Sequence, residues 1–196
     1  MTQPASKAVR PHVTNVKLAG DAKRMAGGLS MVQFSPGVNI LAGPNGSGKS
    51  TIIRVIRDAD WEEKTGSETN RAGNRNVEWI AFDGEQDNPR FKVGHGPLQF
   101  VDTVGSHGQV QRRVFKFLND RISSGMLVIM DEPEAALDLD GVYYLRKIVE
   151  ERTDLQWIIA SHHPVLWKIG GARIVEIHPG HVDRTMTLWR RAVCGS

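Results

Sequence analysis

The sequence predicts an α/β fold, a mainly parallel sheet flanked by helices, with a small antiparallel β unit ahead of it. Two patterns lead there. Short apolar runs such as Met126–Met130 and Gln156–Ala160 alternate with segments of helical periodicity, the order expected of strands joined by crossover helices. The run Ile40-Leu41 breaks into a glycine-spaced loop and then turns into an amphipathic segment, a strand, turn and helix in direct succession.

Taken in order, residues 1–11 (MTQPASKAVRP) carry no apolar period and are expected to fray. Val13, Val16 and Leu18, then Met31, Val32 and Phe34, then Val38, Ile40 and Leu41 form three short strand candidates separated by Gly and Pro, an antiparallel hairpin feeding a buried strand. From Ser50 onward, Ile52, Ile53, Val55, Ile56 and Ala59 recur at helical spacing. Residues 62–76 hold no large apolar side chain and read as a mobile surface loop. A strand is expected at Val77–Phe82, a helix over 109–122, a strand at Met126–Met130 and a helix over 141–151. A strand at Gln156–Ala160, a short helix after Pro164 and closing strands near Ile174 and Met186 complete the series.

The chain has 196 residues, enough for one domain with a full core, so 1–196 is read as a single domain. With 40% apolar and 24% charged residues and no long aliphatic run, the composition excludes a membrane span and points to the cytoplasm. Cys194 is the single cysteine and can form neither an internal disulfide nor a sulfur metal site. The net charge is +3, and residues 1–24 hold five basic residues against Asp21. That imbalance leaves DNA or another acidic macromolecule open as a partner.

Gly43-Pro44-Asn45-Gly46-Ser47-Gly48-Lys49-Ser50, followed by Thr51, fits the phosphate-binding loop G-x-x-x-x-G-K-[ST] in its required context of strand before and helix after. Its glycines allow successive N–H groups to turn inward onto phosphate oxygens, and the helix start adds its positive end. Lys49 would reach the outer phosphates and the Ser50 hydroxyl would bind magnesium. MLVIMDEPE, residues 126–134, delivers Asp131 and Glu132 at a strand end. Asp131 suits magnesium, and Glu132 suits the orientation or deprotonation of an attacking water. ASHHP, residues 160–164, ends another strand with two histidines, of which His162, ahead of His163, is the better placed to meet a terminal phosphate. Ser106 and Gln109 form a helix-capping box ahead of Val110, Val114, Leu118 and Ile122.

Taken together, these stretches resemble the ATP-binding-cassette (ABC) class of P-loop ATPases over about residues 30–180. The chain offers GPNGSGKS, then Gly105-Ser106-His107-Gly108-Gln109 in the place of a Leu-Ser-Gly-Gly-Gln signature, then MDEP, then Ala136-Leu137-Asp138, then SHH. The resemblance implies binding and hydrolysis of ATP with Mg2+, and a homodimer that closes around nucleotide. In it Ser106, Gly108 and Gln109 contact the nucleotide held by the opposite copy, and Asp138 lies in a loop at the seam. Gln86 is the choice for the magnesium-linked glutamine, with Glu85 or Asp83 as alternatives. Only nineteen residues separate Gln86 from Ser106, so the helical arm is reduced. His107 replaces a glycine of the signature, and residues 13–33 contain no aromatic side chain to stack on adenine, a place Arg24 could take. Small stand-alone members of the class resemble the ATPases of DNA repair, recombination or defence, including chromosome-organising (SMC) relatives. The alternatives are the nucleotide-binding subunit of an ABC transporter and a P-loop kinase of small molecules.

Overall fold

Five strands make the central sheet, and its three middle strands are buried on both faces, as placement between two layers demands. The five are β3 (Val38–Ala42), β5 (Trp79–Phe82), β6 (Leu127–Asp131), β7 (Gln156–Ser161) and β8 (Arg173–Glu176), in the order β5-β6-β7-β3-β8, and every pairing is parallel. The computed structural model describes residues 12–72, 79–82, 116, 120, 123–135 and 137–194.

Alternation along each strand sorts the core into two halves. Ile40, Val128, Met130, Trp157 and Ile159 face one side, where α4 (Leu139–Glu151) covers them with Val142, Leu145 and Val149. Leu41, Leu127, Ile129, Ile158 and Ala160 face the other, where α2 (Lys49–Arg57) buries Ile52, Ile53, Val55 and Ile56. Each half removes several large aliphatic side chains from water at about 1.5–3 kcal/mol apiece, a gross gain set against chain entropy.

Beyond α2 stands a three-stranded antiparallel sheet, β2 (Met31–Gln33), β1 (Val13–Lys17) and β4 (Glu68–Arg71), in that order. The antiparallel unit is therefore present, but β1 and β2 are not joined by a tight turn. A short helix, α1 (Gly20–Met25), lies between them and buries Ala22.

Two expectations need correction. Residues 62–71 are ordered structure. Asp58 caps α3 (Ala59–Thr65) by accepting from the Asp60 and Trp61 amides, and Gly66 at φ 68° ends it. The polar strand β4 follows, held by the ladder to β1 and by side chains in place of apolar burial. Glu62 accepts from the Thr69 amide, and Arg71 bonds Glu62 at 3.1 Å and the Ile56 carbonyl at 2.8 Å. The second correction concerns Met186, which lies in α5 (His181–Cys194) and not in a strand. Thr185-Met186-Thr187-Leu188 alternates as a strand does, but Val182 and Met186 are one helical turn apart and both reach the core, while Leu188 is exposed. The short helix after Pro164 is a 3-10 turn at Leu166–Lys168. The helix expected over 109–122 lies outside the described residues except at Lys116 and Asp120, which are helical.

Candidate nucleotide site

The strand order brings β6, β7 and β3 side by side, so their carboxyl ends share one edge of the sheet, the edge at which open α/β sheets bind ligands. The glycine loop leaves β3 there, Asp131 and Glu132 leave β6, and His162 leaves β7.

Within the loop the chain turns because two residues have no Cβ. A Cβ at Gly43 would stand 2.6 Å from the Ser47 hydroxyl oxygen. Gly48 adopts φ 96°, and a Cβ there would stand 2.3 Å from the Met25 carbonyl oxygen at the end of α1. Gly48 is also the N-cap of α2 and brings no side-chain cap, so the first N–H groups of that helix are left for an anion. Pro44, Asn45 and Gly46 are exposed at the rim, while Ser47, Lys49 and Thr51 are buried. The Ser47 hydroxyl finds no hydrogen-bond partner among the described residues. Lys49 folds back over the loop, donating to the Gly43 and Pro44 carbonyls at 3.1 Å each.

Asp131 is buried at the end of β6 and shares with Ser50 and Thr51 the wall of a cavity of about 650 Å³, which Met25, Arg54 and Trp61 also line. A smaller hollow of about 250 Å³ runs over Gly46–Thr51 to Glu132. Glu132 sits at φ 47°, in the left-handed region, alone among the described non-glycine residues. That backbone costs about 1–2 kcal/mol and turns the side chain out of the strand direction. Its Oε1 lies 3.5 Å from Lys49 Nζ and 3.6 Å from His162 Nδ1, so carboxylate, lysine and imidazole meet at one point.

The two histidines differ. His162 Nδ1 stands 3.6 Å from Glu132 and 3.7 Å from Glu134 without a hydrogen bond to either. His163 turns away, and its Nδ1 accepts from the Val165 amide at 3.2 Å. Burial holds the His163 ring below the ordinary imidazole range, with His162 adding repulsion and Glu134 opposing both. His181, the first residue of α5, is likewise pushed down by burial and by Arg184.

Of the residues singled out in the sequence, the structure gathers Gly43–Thr51, Asp131, Glu132 and His162. Asp138 caps α4, its carboxylate accepting from the Gly141 amide at 2.9 Å. Gln86, Glu85, Asp83, Ser106, His107, Gly108 and Gln109 lie outside the described residues. Arg24, the stacking alternative, is exposed and pairs with Asp21 at 3.1 Å. Sequence reasoning missed Met25, which reaches both hollows, and Glu134, which is buried. Glu134 had one sequence signal, an acid between Pro133 and an apolar Ala-Ala-Leu, directly after the carboxylate pair.

The donors present fit a nucleotide with a hard cation. The loop has no room for β-carbons at Gly43 and Gly48, it holds a buried hydroxyl with no partner, and it presents uncapped helix N–H groups. Among the described residues no three His, Cys, Asp or Glu side chains form a metal cluster. Among the described residues Ser50 and Asp131 would supply oxygen ligands, the sparse protein share typical of magnesium bound with phosphates and water.

Comparison with known proteins agrees with this geometry. The AAA domain family AAA_23 matches residues 27–151. The chain is 29% identical to the zinc import ATP-binding protein ZnuC of Alkalilimnicola ehrlichii, covering 79% of this chain and 68% of that protein. It is 28% identical to [NU+] prion formation protein 1 of Saccharomyces cerevisiae over 62% of this chain, but spans only 12% of that protein. In fold it is similar to a solved ATP-binding protein from Pyrococcus furiosus, with TM-score 0.52 and 14% identity over 85% of this chain and 96% of that one. It is also similar to the ATP-binding cassette MJ0796, solved as a dimer bound to ADP and Pi, with TM-score 0.51 and 13% identity over 85% of this chain and 92% of that one. The match at residues 27–151, together with the phosphate loop on this sheet edge, makes the chain a member of the AAA domain family and an ABC-class P-loop ATPase.

Proposed function

We propose that this chain hydrolyses ATP with magnesium at a site closed by a second copy, and that the resulting motion serves a DNA-related process such as repair, recombination or defence. The observation that carries the hydrolytic reading is the meeting of Glu132 with Lys49 and His162 at the end of neighbouring strands. On this reading the amides of Gly46–Ser50 cradle the phosphates, and Lys49 exchanges the Gly43 and Pro44 carbonyls for the outer phosphates. That exchange frees Glu132 from Lys49. Its carboxylate then orients a water and takes its proton, while His162 donates a hydrogen bond to the terminal phosphate. Ser50 and Asp131, with Gln86, would hold magnesium, whose charge offsets that of the outer phosphates when it is bound. Ser106, Gly108 and Gln109 of one copy would seal the nucleotide of the other, with Asp138 at the seam.

Support for the DNA-related setting is the basic balance of residues 1–24 and the net charge of +3. A second reading, the ATP-binding subunit of a transporter, is favoured by the likeness to the zinc import protein. No helix among the described residues is long and apolar enough to cross a membrane. Membership of the ATPase family favours hydrolysis over the kinase alternative.

Glu132→Gln tests the reading. The variant should bind ATP as the parent does, lose turnover by roughly a hundredfold or more, and elute as a dimer with ATP and magnesium. Retained turnover would remove Glu132 from its role, and a monomer under all conditions would remove the closed seam. Stimulation of hydrolysis by duplex or single-stranded DNA, lost steeply with added salt, separates the DNA setting from transport.

A further inference from the structure

We propose that Glu134 is a positioning residue for hydrolysis, one that ties the end of β7 to the end of β6 and thereby sets where His162 stands relative to Glu132. The inference rests on the reading of His162 as the phosphate-facing histidine.

Glu134 is an unusual carboxylate for its surroundings. Its side chain is 2% exposed, where an isolated charge costs several kcal/mol unless it is compensated. Compensation comes from one direction only. Oε1 accepts from the Ser161 hydroxyl at 2.6 Å and from the His162 amide at 3.0 Å, while Oε2 has no hydrogen-bond partner among the described residues. Both donors belong to the two residues at which β7 ends, and one of them is His162 itself. Glu134 in turn sits in the turn that follows Glu132, closed by bonds from the Ala135 amide to the Glu132 carbonyl and from the Leu137 amide to the Glu134 carbonyl, each 3.0 Å.

One buried carboxylate thus links the turn carrying Glu132 to the backbone of His162. The Ser161 hydroxyl extends the link, accepting from the His163 amide at 3.0 Å, while the Ser161 carbonyl accepts from the Trp167 indole at 3.1 Å. The imidazole is placed as a result. Its Nδ1 lies 3.6 Å from Glu132 Oε1 and 3.7 Å from Glu134 Oε1, almost equidistant and hydrogen-bonded to neither. The opposite ring nitrogen, Nε2, is the one left to meet a phosphate. A ring poised between two carboxylates needs only a small rotation to engage one of them. Its backbone anchor has to stay fixed for that rotation to be reproducible, since a misplacement of about 1 Å in a reacting group can cost on the order of a hundredfold in rate.

The decisive measurement is a double-mutant cycle on the full chain, reading kcat, KM and affinity for a non-hydrolysable ATP analogue, with melting temperature as a control. Glu134→Ala should lower kcat by about tenfold or more, the range of lost supporting contacts, with KM and analogue affinity within about twofold. Glu134→Gln keeps an oxygen to accept from Ser161 and His162, so it should retain most of kcat even if it melts earlier. In a His162→Ala background, Glu134→Ala should cost nothing further, which a role in fold stability alone cannot produce. Should Glu134→Ala not fold, Ser161→Ala weakens the same link and takes its place in the cycle. Losses that add across the two sites, or a glutamine variant as slow as alanine, overturn the inference. If His162→Ala hydrolyses ATP like the parent, the reading of His162 falls and this inference with it. If His162→Ala is slow but Glu134→Ala is not, the inference alone falls.

Discussion

The side-chain amide of Gln156 satisfies both backbone groups of Val13: its Oε1 accepts from the Val13 amide at 3.0 Å and its Nε2 donates to the Val13 carbonyl at 2.8 Å. Gln156 begins β7, at the opposite end from His162, and it is fully buried. The same amide also accepts from the His12 amide and donates to the Ser35 carbonyl. A single side chain therefore does for the junction of the two sheets what a strand ladder does within one.

Replacing it exposes that dependence. Gln156→Ala takes the side-chain partner from the buried amide and carbonyl of Val13 and from the half-buried His12 amide, at about 1–3 kcal/mol for each one that water cannot reach, while the Ser35 carbonyl keeps its bond from Asn39. A loss of roughly 3 kcal/mol in unfolding free energy is expected from urea titration. Gln156→Glu should be worse, because a carboxylate keeps the acceptor but sets negative charge against the Val13 and Ser35 carbonyls. A change under about 0.5 kcal/mol in either variant, the level of an ordinary surface substitution, would show that the junction is held elsewhere.

Two glycines of the phosphate loop should respond differently to the same methyl group. Gly46 has φ 73° and nothing within 4 Å of a Cβ, so Gly46→Ala pays only the left-handed backbone term of about 1–2 kcal/mol. Gly48 combines φ 96° with a Cβ position 2.3 Å from the Met25 carbonyl oxygen. Gly48→Ala must displace either α1 or the start of α2, and nucleotide affinity should fall by about tenfold or more beyond the Gly46 variant, a cost of overpacking on top of strain. Titration with a fluorescent ATP analogue checks the ranking, and equal losses at the two positions would contradict it.

Stability should decline as the solution is acidified below pH 6.5, the ordinary imidazole value. His163 and His181 are both held below that value in the folded chain, chiefly by burial. The unfolded chain therefore takes up their protons first as pH falls through 6.5, and folding loses free energy until the folded-state values are passed. For His163 burial is joined by repulsion from His162 and opposed by Glu134, and its Nδ1 accepts from the Val165 amide. Melting temperature between pH 7.5 and 5.5 should fall for the parent and fall less for His163→Gln. An unchanged slope in that variant would assign the effect to other groups. Asp154, lowered by its hydrogen bond to Arg152, acts in the same direction at more acidic pH, its contribution being lost as pH drops through its folded-state value.

Much of the scaffold could be read before any coordinates, because burial on two faces forces a recognisable composition. Leu127–Asp131 and Gln156–Ser161 are buried at every position and apolar at all but Asp131, Gln156 and Ser161 at their ends, and only a strand between two covering layers needs that. The strand, glycine turn and helix at Val38–Arg57 were equally legible, since three glycines directly before an amphipathic run leave little else for the backbone to do. What stayed hidden was held by other means. β4 is a polar strand kept in place by Glu62, Arg71 and a ladder, so hydrophobicity gave no signal. α1 is six residues long, too short to show a period. Glu134 escaped because a charged residue is assumed to face water, and only the fold reveals that the Ser161 hydroxyl and His162 amide converge on it. The distances joining Lys49, Glu132 and His162 depend on β7 lying between β3 and β6, an order no local pattern encodes.

The contact between the Met25 carbonyl and Gly48 ties the phosphate loop mechanically to the antiparallel layer. α1 bridges β1 and β2, and its last residue rests where a side chain at Gly48 would have to go. Because Gly48 leaves no room for a Cβ against α1, the loop and the helix share one packed boundary. The packing of one loop glycine against the end of α1 therefore makes the antiparallel layer part of the frame that fixes the shape of this sheet edge.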